Sequence, residues 1–134
     1  MGWQVDRHMQ DSLVIEALRK VILLRKTPSG MIVHSDGGGQ YKSIAFRELI
    51  ARQEFVQSMT RKDNHYDNAF SESLFSRFKT ELMVQGGFGG LQDARLQIFE
   101  YIEGYYNTIR KHSGIGYLSP MEFEDKYVEN LNVY

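Results

Sequence analysis

The spacing of apolar residues along the chain changes between a helical and a strand-like period. Apolar positions recur every three or four residues across 13–24, which predicts a helix with Asp11 as its N-cap and the turn at 28–30 as its end. The short apolar run 31–34 predicts a buried strand, and the glycine-rich stretch 35–39 predicts a loop. The chain therefore opens with a helix, a strand and a loop.

The same alternation follows once more. A second helix is predicted over residues 43–53 and a second strand over 55–59, and the polar residues 60–68 predict a loop. Helices alternating with strands predict an α/β fold.

The remainder of the chain is predicted to be helical. A third helix is expected over residues 69–83, with Asp67 or Asn68 as its cap. The glycines of 85–90 then break the chain, and apolar spacing predicts a long amphipathic helix over 91–109. We expect one domain over residues 1–134, with an α/β part at 1–84 and a helical part at 91–134.

A fourth predicted helix begins at Ser-Pro-Met-Glu. Ser119 is a suitable cap, Pro120 a suitable first residue, and Glu122 lies three residues after the cap. This spacing is typical of a capping box, in which the Ser and Glu side chains each accept a hydrogen bond from the other residue's backbone N–H.

Composition narrows the possible classes of protein. The 134 residues include 42% hydrophobic and 25% charged residues, which is ordinary for a folded globular chain, and no cysteine, which excludes disulfides and thiolate metal sites. No apolar run approaches the roughly 20 residues that span a bilayer, and the start lacks the apolar core of a signal peptide. We therefore expect a cytoplasmic protein without a membrane partner.

The charge is unevenly distributed. The net charge of −1 is a mild argument against a nucleic-acid partner. Four of the acidic residues lie after residue 120, however, and the first 120 residues carry a net charge of +2. A local basic groove remains compatible with this distribution.

Two carboxylates are placed where a metal site would need them. Asp36 directly follows the first predicted strand, and Glu72 lies in the first turn of the third predicted helix, with 35 residues between them. A strand end and a nearby helix can bring such side chains together. Carboxylate oxygens are the ligands that Mg²⁺ and Mn²⁺ prefer.

The third predicted helix has two distinct sides. At about 100° per residue, Glu72, Ser76 and Lys79 fall on one side, whereas Phe70 and Phe78 fall on the other. Lys79 lies about 10 Å further along the helix than Glu72, within reach of a neighbouring phosphate. The alternative is that these charges form an ordinary solvated surface, which is the usual role of charged residues on helices.

Three segments closely resemble the insertion-sequence transposases that have an integrase-like catalytic core. They are HSDGGGQY at 34–41, SMTRKDNHYDNAFSESLFSRFKTEL at 58–82 and YYNTIRKHSGIGYLSPMEFE at 105–124. The resemblance implies an RNase H-like fold and an Asp, Asp, Glu triad. Asp36 would be its second Asp, Glu72 its Glu, and Lys79 the base that recurs seven residues after the Glu.

The chain departs from that family pattern in two ways. The first Asp is expected on the first strand of the core, and Asp6 and Asp11 lie too close to Asp36 to take its place. We therefore expect an N-terminally truncated core, in which residues 1–10 resemble the end of the third strand of the family's core. The residue after the second Asp is commonly basic in the family, but here it is Gly37.

The resemblance also implies contacts to DNA outside the carboxylate pair. In the loop before the third helix, Arg61, Lys62, Tyr66 and Asn68 would border the active site and touch the DNA end; the alternative is a solvated turn.

The final motif, YYNTIRKH, is more ambiguous. We expect Tyr105 to be a core residue. Arg110 and His112 could bind phosphate, but a structural role is the preferred interpretation.

These observations lead to one principal hypothesis. The intact protein would be a Mg²⁺-dependent polynucleotidyl transferase that acts on mobile-element ends and target DNA in a bacterial nucleoid, and this chain alone would be inactive because the first Asp is absent. The alternative is a non-catalytic transposase remnant that binds DNA, forms a homo-oligomer or associates with full-length transposase. An in-frame upstream sequence that encodes a strand with Asp would favour the enzyme.

Overall fold

The computed structural model describes residues 2–61, 64–83 and 86–131, apart from the side chains of residues 65 and 129–131. The chain divides into two compact units, residues 1–80 and 81–134. The division falls within the third helix, after Thr80.

The first unit contains helices and a small sheet. Its regular elements are α1 (Asp11–Leu24), β1 (Ile32–Ser35), α2 (Ile44–Arg52), β2 (Val56–Met59) and α3 (Ala69–Leu82, which ends in the second unit). Short 3-10 helices precede α2 and α3 at Gly39–Lys42 and His65–Asn68. The order confirms the predicted alternation of helices and strands.

The sheet of the described residues consists of two parallel strands. Ile32 pairs with Val56 and Ser35 with Met59. The prediction of a buried strand was wrong for Ile32, whose side chain is 67% exposed, and for His34, which is also exposed. Alternate residues of a strand face opposite sides of a sheet, so Ile32 and His34 share one side, which is exposed.

A small apolar core lies between α1 and α2. Ile15 and Leu18 of α1 pack with Phe46 and Ile50 of α2 and with Phe55. Ser43 caps α2 by accepting the N–H of Phe46, at 3.3 Å. The predicted second helix is thereby confirmed.

The ends of α1 differ from the prediction. Asp11 is the first residue of the helix and not its cap; Gln10 takes that position without a side-chain hydrogen bond. The helix ends at Leu24, before the turn at 28–30, because the backbone of Arg25 is already extended.

Residues 2–10 do not form the predicted strand end. The Lys20 ammonium group on α1 instead donates hydrogen bonds to the Trp3 carbonyl, at 3.0 Å, and to the Gln4 side chain, at 2.8 Å. It also lies 5.3 Å from the centre of the Trp3 ring. The segment is thus attached to α1, and no strand in the described part of the chain pairs with it.

The second unit is helical. It contains α4 (Leu91–Phe99), a π-helix (Glu100–Tyr106), a short 3-10 helix (Ser113–Ile115) and α5 (Pro120–Leu131). Ala94, Ile98 and Ile102 are buried along the first two of these elements.

The π-helix changes which residues face inward. The Asn107 N–H binds the Ile102 carbonyl five residues earlier, at 3.0 Å, so the turn is wider than in an α-helix. Tyr105 and Ile109, two apolar positions of the amphipathic helix predicted over 91–109, are 43% and 60% exposed. The prediction of a core role for Tyr105 was therefore wrong, because a wider turn rotates the later residues away from the expected side.

The capping box at the start of α5 is confirmed. The Ser119 N–H donates to Glu122 Oε2, at 2.6 Å, and the Glu122 N–H donates to Ser119 Oγ, at 3.3 Å. Ser119 is fully buried. None of the described helices has the length and apolar character needed to cross a membrane.

Candidate active-site cleft

The end of β1 fixes the direction of Asp36. Ser35, the last residue of the strand, is buried, and its carbonyl accepts the Thr60 N–H at 2.9 Å. Asp36 follows as an exposed residue, and its Oδ1 accepts the Gly38 N–H at 2.8 Å. The carboxylate is therefore held by its own loop while remaining accessible to solvent.

Glu72 lies in the first turn of α3, with Lys79 two turns later on the same side. Both side chains are exposed, and no side chain of α3 in the first unit is buried. Helix α3 therefore presents its charged side to solvent.

An open cleft of about 560 Å³ brings the predicted residues together. Asp36, Glu72 and Lys79 all line it. His34 and Tyr41 line it near Asp36. The α3 side also includes Asn68, Ser71, Phe75 and Ser76. The expected convergence of the strand end and the helix is thus present within the first unit.

The charges of the cleft are not neutralised within the described residues. No salt bridge there involves Asp36, Glu72 or Lys79. Burial raises the pKa of Tyr41 above its ordinary value, and the negative charge of Asp36 adds to that effect. Among the described lining residues, the cleft therefore combines two carboxylates that form no salt bridge with one lysine, on the far part of α3.

His34 and Tyr41 were not identified as site residues from the sequence. His34 Nδ1 lies 2.9 Å from Ser58 Oγ on the paired strand, and its Nε2 lies 3.5 Å from Thr60 Oγ1. The available signal was the strand period, because residues two apart, such as His34 and Asp36, lie on the same side of a strand. Tyr41 had no comparable signal, since the turn after Asp36 returns it to the cleft.

One cation of the loop before α3 forms a salt bridge with a carboxylate of the same segment. Arg61 Nε donates to Asp67 Oδ2 at 3.0 Å, and this bond lowers the pKa of Asp67. Arg61 is thus already paired with a carboxylate. Tyr66 is highly exposed, Asn68 lines the cleft, and Lys62 lies outside the described residues.

The predicted cap of α3 was wrong. The helix is entered through the 3-10 helix His65–Asn68, whose cap is Asn64, with its Oδ1 accepting the Tyr66 N–H at 3.3 Å. The Asp67 carboxylate accepts hydrogen bonds from Arg61 and Asn64, and among the described residues no backbone N–H of α3 donates to it.

Arg110 and His112 belong to the second unit, where they form part of an internal network. Arg110 is only 14% exposed, and its Nε lies 2.9 and 3.0 Å from the two carboxylate oxygens of Glu81. The Tyr101 hydroxyl donates to the same carboxylate at 2.6 Å. Arg110 Nη1 lies 3.1 Å from His112 Nδ1, and the His112 ring packs edge-on against Tyr106. This geometry agrees with the preferred structural interpretation of the two residues.

The pair Asp36 and Glu72 fits a hard divalent cation that is only partly coordinated by protein. Within the described residues, no group of three or more His, Cys, Asp or Glu side chains is arranged to hold a metal ion. Mg²⁺ commonly binds through one or two carboxylates and takes its other ligands from water and substrate phosphates. Two exposed carboxylates on one cleft meet that requirement.

Comparisons with known proteins show which family the chain resembles. Residues 1–65 and 72–128 each match a family model described as an integrase core domain. The chain is 40% identical over 124 residues to the transposase for insertion sequence element IS904 of Lactococcus lactis, covering 92% of the chain and 49% of that protein. It is 39% identical over 126 residues to the transposase InsF for insertion sequence IS3A of Escherichia coli, covering 94% and 44%. The chain spans about half the length of these relatives.

Proposed function

Because the chain belongs to the integrase-core family of insertion-sequence transposases, we propose that it carries the second Asp and the Glu of a DNA-transposition site. The integrase core implies an RNase H-like fold, and the α/β elements of the first unit are consistent with it. The observation that carries the proposal is that Asp36 and Glu72 line one open cleft together with Lys79.

The two carboxylates are proposed to bind Mg²⁺ or Mn²⁺. Asp36 would present the oxygen not engaged by Gly38, and Glu72 would contribute from the first turn of α3. When bound, such ions stabilise the charge that develops on a phosphodiester during in-line displacement. Asp36 and Glu72 would hold the ions and set their position along the cleft.

The DNA backbone is proposed to follow α3. Lys79, without a salt bridge among the described residues, would bind a phosphate next to the reacting one. Tyr66 and Asn68 would touch the DNA end; the proposal is supported by the high exposure of Tyr66 and by the position of Asn68 in the lining of the cleft. Arg61 is the weaker candidate, because Asp67 already offsets its charge.

The proposed substrates are the ends of a mobile element and a target DNA. A chain of these 134 residues contributes two carboxylates to a site that uses three in the family pattern. We infer that it does not catalyse strand transfer by itself, since losing one metal carboxylate should remove most of the activity. Robust Mg²⁺-dependent strand transfer by the isolated chain would contradict this inference.

The second proposed function is non-catalytic association, with another copy or with full-length transposase. The exposed apolar side chains of the paired residues Ile32 and Val56 favour it, because a two-stranded sheet with an uncovered side is marginal in water. Light scattering tests the association. A mass that rises with protein concentration supports it, and a constant monomer mass contradicts it.

Metal titration tests the principal proposal. Mn²⁺ is titrated by calorimetry into the chain, into Asp36→Asn and into Glu72→Gln, with Asp125→Asn as the matched loss of an exposed carboxylate in the second unit. We expect binding to be lost in the first two variants and retained in the third. Equal loss in all three variants, or binding that survives both cleft substitutions, would sink the assignment.

A further inference from the structure

Gly38 occupies the space beside the Asp36 carboxylate. Its N–H donates to Asp36 Oδ1 at 2.8 Å. A Cβ atom on residue 38 would lie only 2.9 Å from the same oxygen, and 2.8 Å from Nε2 of Gln40. Both distances are shorter than real Cβ contacts allow, so a side chain here requires a neighbour to move.

The neighbouring glycines lack this constraint. A Cβ on Gly39 would meet nothing within 4 Å, and one on Gly37 would meet only the end of Lys42, at 3.6 Å. The φ angle of Gly38 is −56°, which any residue adopts. The need for glycine at position 38 therefore comes from the space beside Asp36 and not from the backbone conformation.

The two crowded neighbours differ in their freedom to move. Gln40 has a long side chain whose amide is held only by a 3.7 Å contact to Met9 Sδ, a weak acceptor, and it can rotate away. Asp36 has a short side chain, and its Oδ1 accepts a hydrogen bond from the N–H of residue 38. The carboxylate can therefore move only if it loses that hydrogen bond or turns within the cleft. A methyl group at position 38 would thus act mainly on the carboxylate.

We propose that Gly38 is a positioning residue for Asp36: the absence of its side chain leaves the space in which the Asp36 carboxylate is held toward the cleft. The inference rests on the proposed function, in which that carboxylate binds a divalent cation. It adds a residue that touches neither metal nor DNA but sets the direction of a metal ligand.

The matched pair Gly38→Ala and Gly39→Ala tests the proposal. Both changes add one methyl group and restrict the unfolded chain similarly, so their free energies of unfolding are directly comparable. Free Mn²⁺ is measured by electron paramagnetic resonance during titration. We expect about tenfold weaker binding for Gly38→Ala, the usual scale for residues that orient a ligand, and less than about twofold change for Gly39→Ala.

A third variant separates the two crowded neighbours. The double change Gly38→Ala with Gln40→Ala removes the contact to Gln40 and leaves the contact to Asp36. We expect its Mn²⁺ affinity to stay as low as that of Gly38→Ala. Recovery to the parent affinity, or unaltered affinity in Gly38→Ala itself, would overturn the proposal.

Hydrogen exchange of the residue-38 amide provides a readout that needs no metal. The bond to Asp36 Oδ1 should slow exchange in the parent, and we expect several-fold faster exchange in Gly38→Ala and in Asp36→Ala than in Gly39→Ala. Slow exchange retained in Gly38→Ala contradicts the positioning role. Fast exchange together with a parent that binds no Mn²⁺ supports the positioning role and instead refutes the proposed metal site.

Discussion

The cleft of the first unit and the network around Arg110 in the second unit use charged residues in opposite ways. Asp36, Glu72 and Lys79 are exposed and form no salt bridge with the described residues. Arg110, by contrast, is largely buried and bound to both oxygens of Glu81. Charges that satisfy one another stabilise the fold, whereas charges left toward solvent are available to a ligand.

The comparison matters because the same family resemblance identified candidate functional residues in both regions. A motif alone does not show whether its charged residues bind a substrate or support the structure. Burial and partners distinguish the two: a partly buried, doubly hydrogen-bonded pair loses much when one member is removed, whereas an exposed charge loses little. Four experiments, described in order of decreasing expected effect on stability, test this distinction.

The largest effect is expected for Arg110→Ala. The change removes the guanidinium from the partly buried Glu81 carboxylate, and we expect the free energy of unfolding to fall by about 2 kcal/mol. Urea unfolding followed by circular dichroism measures it. Arg52→Ala is the control, because its pair with Glu48 is long, at 3.6 Å, and exposed, and should change stability by less than about 0.5 kcal/mol. Equal losses in the free energy of unfolding for Arg110→Ala and Arg52→Ala would contradict the distinction between paired and solvent-exposed charges.

A smaller loss is expected for Ser119→Ala. The buried hydroxyl accepts the Glu122 N–H at the start of α5, and the loss of an N-cap typically costs about 1 kcal/mol. Ser12→Ala, an exposed change in the first turn of α1, serves as the matched control in the same urea experiment. If Ser12→Ala lowers the free energy of unfolding as much as Ser119→Ala, the capping box contributes no specific stabilisation.

The Glu122 carboxylate gives the second unit a pH dependence. Hydrogen bonds from Lys111 and then from Ser119 lower the pKa of Glu122 from its ordinary 4.5 to about 2. Because the folded-state pKa is depressed, the stabilisation is present above about 4.5 and is lost as the pH falls toward about 2. The stability difference between the parent and Glu122→Gln should therefore shrink over that range. A difference that stays constant from pH 5 to pH 2 would contradict the assignment.

The smallest effect on stability is expected for Lys79→Gln. The side chain is exposed, so the free energy of unfolding should change by less than about 0.5 kcal/mol. Binding to duplex DNA should nevertheless weaken, and the salt dependence of log K should lose about one unit of slope. Arg52→Gln, a matched exposed cation on α2, should leave both quantities unchanged. Marked destabilisation by Lys79→Gln would show instead that this residue, like Arg110, supports the fold.

Local chemistry predicted several elements because their signals lie close together in the sequence. The Ser119 capping box is defined within four residues, and it is confirmed. The side of α3 shared by Glu72 and Lys79 follows from the helical period alone. The family resemblance, carried by three separate motifs, is also confirmed.

Other features depended on tertiary contacts that no local pattern encodes. The exposure of Ile32 depends on what covers the sheet, and an apolar run cannot show it. Asp67 looked like a helix cap, but the guanidinium of Arg61 binds its carboxylate. Tyr41 reached the cleft through a turn whose course is set by Asp36 and the glycines after it.

The π-helix at Glu100–Tyr106 makes the length of this segment as important as its composition. Removing one residue from it would narrow the turn toward an α-helix and rotate every following side chain by about 100° about the axis. Arg110 would then point away from Glu81 although no residue of the pair had changed. A single-residue deletion here should consequently be less tolerated than most substitutions, and sequence changes that conserve length should be the ones this region accepts.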